Sequence, residues 1–165
     1  MPAMQFFYDY ECPYSKRIYA PLVELLKQHP GICVEYRPVE AHPRPENHPP
    51  HTDLCVQAYY IALELGADMA AFHQRMFQCV SAERRNVEIP EVLGGIVEGL
   101  VDQAEFLAIL KSGKYEKMVT ENDDLAYEKS GVWATPAFRL NGKRLDAVEG
   151  VGLTVEQIKE FLEQA

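Results

Sequence analysis

The feature that most restricts how this chain folds is a junction near its start. An aromatic run, Phe6-Phe7-Tyr8-Asp9-Tyr10, passes directly into Glu11-Cys12-Pro13-Tyr14-Ser15. Residues 4–10 read as a strand. A helix is predicted from about Pro13 to Gln28, because proline in the first turn lacks only an N–H that has no partner there. Pro21 falls inside that helix and is expected to bend it, by removing a hydrogen bond and crowding the preceding turn. His29-Pro30-Gly31 ends the segment, and the alternating stretch from Ile32 to Val39 is a second strand. Such a β-α-β unit brings its two strands together in parallel.

A proline- and histidine-rich loop occupies residues 40–51. The stretch from Thr52 to about Lys129 then reads mainly as helices, with Tyr59, Tyr60 and Leu63, and later Met69, Phe72, His73, Met76 and Phe77, at helical spacing. Asp102 with Glu105 makes a capping box ahead of Phe106, Leu107 and Leu110. A further helix over about 114–129 stops at Ser130-Gly131, where glycine suits the left-handed position after the last turn. The final third changes character. Thr135 to Leu140 is a strand, Asn141-Gly142 is a two-residue hairpin turn, and Arg144 to Val148 returns antiparallel. Thr154 with Gln157 opens an amphipathic helix carrying Val155, Ile158, Phe161 and Leu162. The order is β-α-β, several helices, then β-β-α. It predicts an α/β chain, a single domain over 1–165, with a helical insertion at about 52–130.

Composition narrows the function. With 165 residues, 47% of them hydrophobic, the chain can bury one continuous core. A formal net charge of -9 argues against binding the nucleic-acid backbone, and Lys16-Arg17 and Arg84-Arg85 are only short basic pairs. The first residues lack a basic region followed by a long apolar segment, and nothing is long enough to span a bilayer, so a cytoplasmic protein is expected. The four cysteines, at 12, 33, 55 and 79, form no Cys-x-x-Cys pair. Cys33 and Cys55 are expected in the interior as small hydrophobes.

Cys12 is different, because a thiol at the first turn of a helix meets unpaired backbone N–H groups that favour the nucleophilic thiolate. Three residues on, where a dithiol motif carries its second sulfur, stands Ser15. Glu11, acidic and adjacent, is expected at the surface. Tyr14 is either a substrate contact or packing on the helix. His42, His48 and His51 could ligate a metal, but their spacing matches no zinc motif, and no metal is expected. His73 lies on an apolar helical face and is expected to face the core with a hydrogen-bond partner. An exposed Tyr- or Phe-rich helix would serve dimerisation, and buried packing within the insertion explains those residues equally well.

Taken together, the aromatic strand, Cys12-Pro13-Tyr14-Ser15, the kinked helix and the insertion resemble the DsbA-like branch of the thioredoxin superfamily. The segment Gly131-Val132-Trp133-Ala134-Thr135-Pro136-Ala137-Phe138, then Asn141-Gly142-Lys143 and the last helix, complete the likeness. The resemblance implies a thioredoxin-like fold, Cys12 as attacking cysteine and Pro136 as the family's cis-proline. It implies that Pro13, Tyr14, Thr135 and Pro136 contact substrate, with the backbone at Thr135 holding an extended peptide or glutathione. Ser15 departs from the oxidising members. Cys-Pro-Tyr-Ser is also similar to the Ser-Pro-Tyr-Ser of kappa-class glutathione transferases and hydroxychromene-carboxylate isomerases, which are usually longer. Without a local second sulfur, a mixed disulfide at Cys12 must be resolved by an outside thiol, such as glutathione acting as co-substrate, or by a distant cysteine, of which Cys79 is the best candidate. The Ser15 hydroxyl can donate a hydrogen bond to the Cys12 thiolate. The expected partners are protein or small-molecule thiols and disulfides, with no tightly bound cofactor. A glutathione-dependent transferase or isomerase and a non-catalytic binding module are the competing readings.

Overall fold

Residues 3–164 are described by a computed structural model. β1 (Ala3–Tyr8), α1 (Pro13–Leu26) and β2 (Cys33–Pro38) form the opening unit, with the two strands parallel from Ala3 opposite Cys33 to Tyr8 opposite Pro38. The helices α2 (Asp53–Glu64), α3 (Met69–Met76), α4 (Pro90–Ile96), α5 (Gln103–Ser112) and α6 (Glu116–Asp123) follow. β3 (Ala137–Leu140), β4 (Lys143–Asp146) and α7 (Val155–Glu163) close the chain. The strands lie in the order β2-β1-β3-β4, with β3 antiparallel to both its neighbours. This is the α/β arrangement expected from the sequence, with the extra helices between β2 and β3.

The aromatic residues of β1 explain the order. β1 lies inside the sheet, and Met4, Phe6, Phe7 and Tyr8 are all fully buried, so both of its faces are covered. Phe6 stands opposite Tyr36 on one neighbour and Phe138 on the other, while Phe138 faces Leu145. The Phe6 and Phe138 rings stack with centroids 4.9 Å apart, and Phe138 reaches Phe161 of α7 at 6.2 Å. A single apolar cluster runs from Met4 to Leu162 through this row. Phe7 points the other way, into a smaller cluster with Val39, Ala126, Val132 and Ala137.

Several boundaries differ from the sequence reading. α1 contains Pro21 but ends at Leu26, where the N–H groups of Lys27, Gln28 and His29 bond three residues back in a tightened last turn. The helix expected over 114–129 is α6 continued by a π-helical segment, Asp124–Lys129, and α3 likewise continues as Phe77–Ala82. Hydrophobic spacing carries no signal for that change. β3 begins at Ala137, since Pro136 has no N–H for the ladder. β4 ends at Asp146, beyond which Val148 pairs with Gly152 across a short loop. Cys55 is buried as expected, but Cys33 is exposed. It starts the edge strand, and Ala3, its partner across the ladder, is exposed too.

Two substitutions separate core from cap. Phe6→Ala is expected to lower the unfolding free energy by about 3–5 kcal/mol. Thr154→Ala removes a capping box in which the Gln157 N–H donates to the Thr154 hydroxyl at 3.1 Å and the Thr154 N–H to Gln157 at 2.8 Å. It should lower it by about 1 kcal/mol. Denaturant titration measures both, and equal losses would contradict the central place given to the aromatic row.

Candidate active site

Cys12 is where β1 turns into α1. The Asp9 carbonyl accepts the Cys12 N–H at 2.9 Å, and the Cys12 carbonyl accepts the Lys16 N–H at 3.1 Å. Cys12 itself is extended, with φ -72° and ψ 118°, and no side chain caps this end of the helix. The first-turn N–H groups therefore keep their partial positive charge for an anion at that end. Across from it, the Cys12 Sγ–H donates to the Thr135 carbonyl at 3.6 Å. The Thr135–Pro136 peptide bond is cis.

These elements wall a cleft of about 470 Å³. Cys12, Pro13, Tyr14 and Thr135, named from the sequence, all line it. Pro136 is buried, and its carbonyl accepts the Ala147 N–H at 3.0 Å, fixing the loop to the β4 side. Tyr14 is half-buried against the loop after β4, where Gly152 has φ +84°. A Cβ on Gly152 would fall 2.7 Å from the Tyr14 ring and from the Arg17 guanidinium, so only glycine allows that approach.

Two expectations about this turn are corrected. Ser15 is wholly buried and its hydroxyl has no hydrogen-bond partner among the described residues, so the bond to Cys12 is not made. Glu11 is buried rather than superficial. Its carboxylate accepts from His48 at 2.9 Å and from Arg84 at 3.5 Å, which compensates the burial.

The wall opposite Thr135 comes from the 40–51 loop and from Arg84, a left-handed residue at φ 54°. The His42 and His48 rings stack 3.7 Å apart, His42 pairs with Glu46 at 2.8 Å, and His51 contacts the Glu46 carbonyl at 2.8 Å. Among the described residues no group of histidines, cysteines and carboxylates is arranged to hold a metal ion. His73 belongs to the core instead. Its Nδ1 lies 3.0 Å from the Tyr10 hydroxyl, and burial pushes the imidazole down to about 3, keeping it neutral. Cys79 lines a separate cavity of about 500 Å³ with Lys16, Tyr19 and Phe77. Burial pushes its thiol up, and it is not part of the Cys12 cleft.

Sequence reasoning missed an acidic group beneath the cleft. The Asp9 carboxylate accepts from the Glu11 N–H at 3.0 Å and the Ala41 N–H at 2.9 Å, tying the β1 turn to the 40–51 loop. Behind it, the Glu40 N–H donates to Asp123 at 3.0 Å and the Tyr127 hydroxyl to the Glu40 carbonyl at 2.6 Å. Burial, then mutual repulsion, raises Glu40 to about 7. Burial is also the main cause raising Asp9 and Asp123, each to about 6. Asp9 stands three residues before Cys12 and Glu40 heads the proline-rich loop. No local pattern marks either as buried. Trp133 and Glu149, also in the cleft, are likewise visible only once β3 and β4 are paired.

Residues 3–163 match the DSBA-like thioredoxin domain family. A probable DsbA oxidoreductase from Streptomyces coelicolor superposes with a TM-score of 0.83 at 16% identity, over 99% of this chain and 89% of that one. DsbA of Chlamydia trachomatis gives 0.74 at 13% identity, over 99% and 85%. The cytosolic disulfide reductase DsbM of Pseudomonas aeruginosa gives 0.70 at 17% identity, over 98% and 97%. At such identities the likeness establishes the fold. No curated protein sequence matches the chain. No helix among the described residues is long and apolar enough to cross a membrane.

The raised carboxyls make a pH prediction. Glu40 holds its proton to about pH 7 when folded, against an ordinary value of 4.5. Folding therefore takes up protons between those values, and stability falls as pH rises across that window. Glu40→Gln removes the ionisation. Its melting temperature should exceed that of the parent above pH 7, and the gap should close toward pH 4.5. A constant gap across the range would refute the assignment.

Proposed function

Because the chain belongs to the DSBA-like thioredoxin family, we propose that it is a thiol-disulfide oxidoreductase of monothiol type, with Cys12 as its nucleophile. The observation that carries this reading is the position of the Cys12 sulfur: at the uncapped start of α1, in an open cleft, 3.6 Å from the Thr135 carbonyl. The thiolate attacks one sulfur of a substrate disulfide. A Cys12–substrate disulfide forms, the substrate S–S bond breaks, and its electron pair leaves on the second sulfur as a thiolate that takes a proton. The backbone beside Pro136 offers the cleft wall along which an extended substrate aligns, with Pro13 and Tyr14 on the other side.

Resolution comes from outside. Ser15 has no sulfur and its hydroxyl does not reach Cys12, so its part in this reading lies in preventing a local dithiol cycle. One outside thiol, with glutathione as the natural co-substrate, attacks the Cys12 sulfur and releases the substrate thiol. A second restores Cys12 and leaves as the oxidised disulfide. The net change is reduction of one substrate disulfide and oxidation of two outside thiols. This cycle suits a compartment rich in free thiols, such as the cytoplasm.

Cys12→Ser should abolish disulfide exchange, and incubation of the parent with oxidised glutathione should give an adduct at Cys12 that reductant removes. Ser15→Cys restores a dithiol, and that adduct should then give way to an internal disulfide, visible by mass with and without reductant. Exchange that persists in Cys12→Ser would sink the assignment. Glutathione-conjugating activity that persists there would favour the transferase reading.

A further inference from the structure

The Cys12 cleft has a sign. Four of its lining side chains are carboxyls, Asp9, Glu11, Glu46 and Glu149, against a single arginine, Arg84. Glu11 already engages that arginine together with His48. Asp9 is held by backbone N–H groups rather than by a cation. Glu149 stands exposed on the loop after β4, with no cation at ion-pair distance among the described residues. Behind Asp9, Glu40 and Asp123 add two more carboxyls, and Arg44, the cation that acts on Glu40, is committed to Asp53 and Glu88.

The arginines at the rim are also engaged. Arg17 donates to the Val151 and Leu153 carbonyls, and Arg144 to Asp146 and the Gly131 carbonyl. Both lie over aromatic faces of the cleft, Arg17 at 5.3 Å from the Tyr14 ring and Arg144 at 4.4 Å from Trp133, which is 71% exposed. The aromatic walls are thus compatible with cations as well. Burial is the main cause raising Glu40 and Asp123, and the neighbouring carboxylates add to it.

We propose that the cleft selects thiols and disulfides that carry a positive charge beside the reacting sulfur, and that Glu149 sets this preference. The inference rests on Cys12 being the nucleophile. An ammonium or guanidinium next to the substrate cysteine enters against the exposed Glu149, with the buried Asp9 in the floor beneath, whereas a carboxylate there is repelled. Once a cationic substrate is joined to Cys12, its charge offsets the carboxylates, and an anionic resolving thiol meets less repulsion. Because the cleft is open to solvent, the preference is screened by salt over about 10 Å.

Three small symmetric disulfides of similar length test this: cystamine, 2-hydroxyethyl disulfide and 3,3'-dithiodipropionate, which are cationic, neutral and anionic. Each transfers half of itself to Cys12 and releases the other half as a thiol, so adduct formation is followed by mass. Rates are divided by those of a short uncharged cysteine peptide, which removes the intrinsic reactivity of each reagent. The expected order is cystamine, then the neutral disulfide, then the dianion, with about a tenfold span at low ionic strength that shrinks in high salt. Glu149→Lys should narrow the ratio of cystamine to dithiodipropionate several-fold, and Glu149→Asp should retain it. Equal normalised rates for the three, or a ratio unmoved by Glu149→Lys, would overturn the charge preference while leaving Cys12 as nucleophile. No adduct with any of the three would overturn the nucleophile reading itself.

Discussion

The stack of Phe6 on Phe138 registers the opening β-α-β unit against the terminal hairpin. It joins β1 to β3, strands that are over a hundred residues apart and run in opposite directions. With Phe6 opposite Phe138 and Phe7 opposite Ala137, the register leaves the end of β1 beside the residues that precede β3. Cys12 and Thr135 meet for that reason, and a slip of one residue would turn Phe6 out of the main cluster and separate them. The same row extends to Tyr36 and Leu145, so the helix-bearing unit and the terminal hairpin share one registration. The position of Cys12 beside Thr135 is a consequence of core packing, set by apolar side chains that do not line the cleft.

Against that apolar frame, the cleft floor is built at some thermodynamic expense. Asp9, Glu11 and Glu40 are all nearly excluded from solvent, and among the described residues Glu11 alone of the three has an arginine in direct contact. Burying a carboxylate without a cation is unfavourable unless N–H groups replace the lost water. Asp9 receives two of them, which is why its carboxyl is raised only to about 6. Those two bonds also pin the 40–51 loop to the turn that holds Cys12. A residue that stores a proton near neutrality and a residue that clamps a loop are here the same residue.

The sequence carries the architecture because its signals are local. Alternation, a first-turn proline, Asn141-Gly142 and the Thr154–Gln157 box each act within a few residues, and each element they mark is present. Cys12, Pro13, Tyr14 and Thr135 were legible as members of one cleft through their resemblance to a known pattern. The other half of the cleft was not. Arg84 reads as one half of a basic pair and Glu11 as a surface acid, yet the two converge because a π-helical turn and a long loop bring them there. Burial of a charged side chain depends on what packs over it, and spacing along the chain has no access to that.

Ser15 shows the same limit from the opposite side. A hydroxyl three residues after a cysteine at a helix start lies at the right sequence distance to support a thiolate. In the fold the residue is driven inward, where apolar packing favours any small side chain, and the hydroxyl is left without a partner. An unbonded buried hydroxyl is unfavourable by about 1–3 kcal/mol. Alanine would avoid that penalty, and cysteine would bury a less polar atom. Serine at this position is therefore poorly explained by packing. What serine does determine is local: the first turn of α1 holds one sulfur, that of Cys12, and the other three cysteines lie outside the Cys12 cleft.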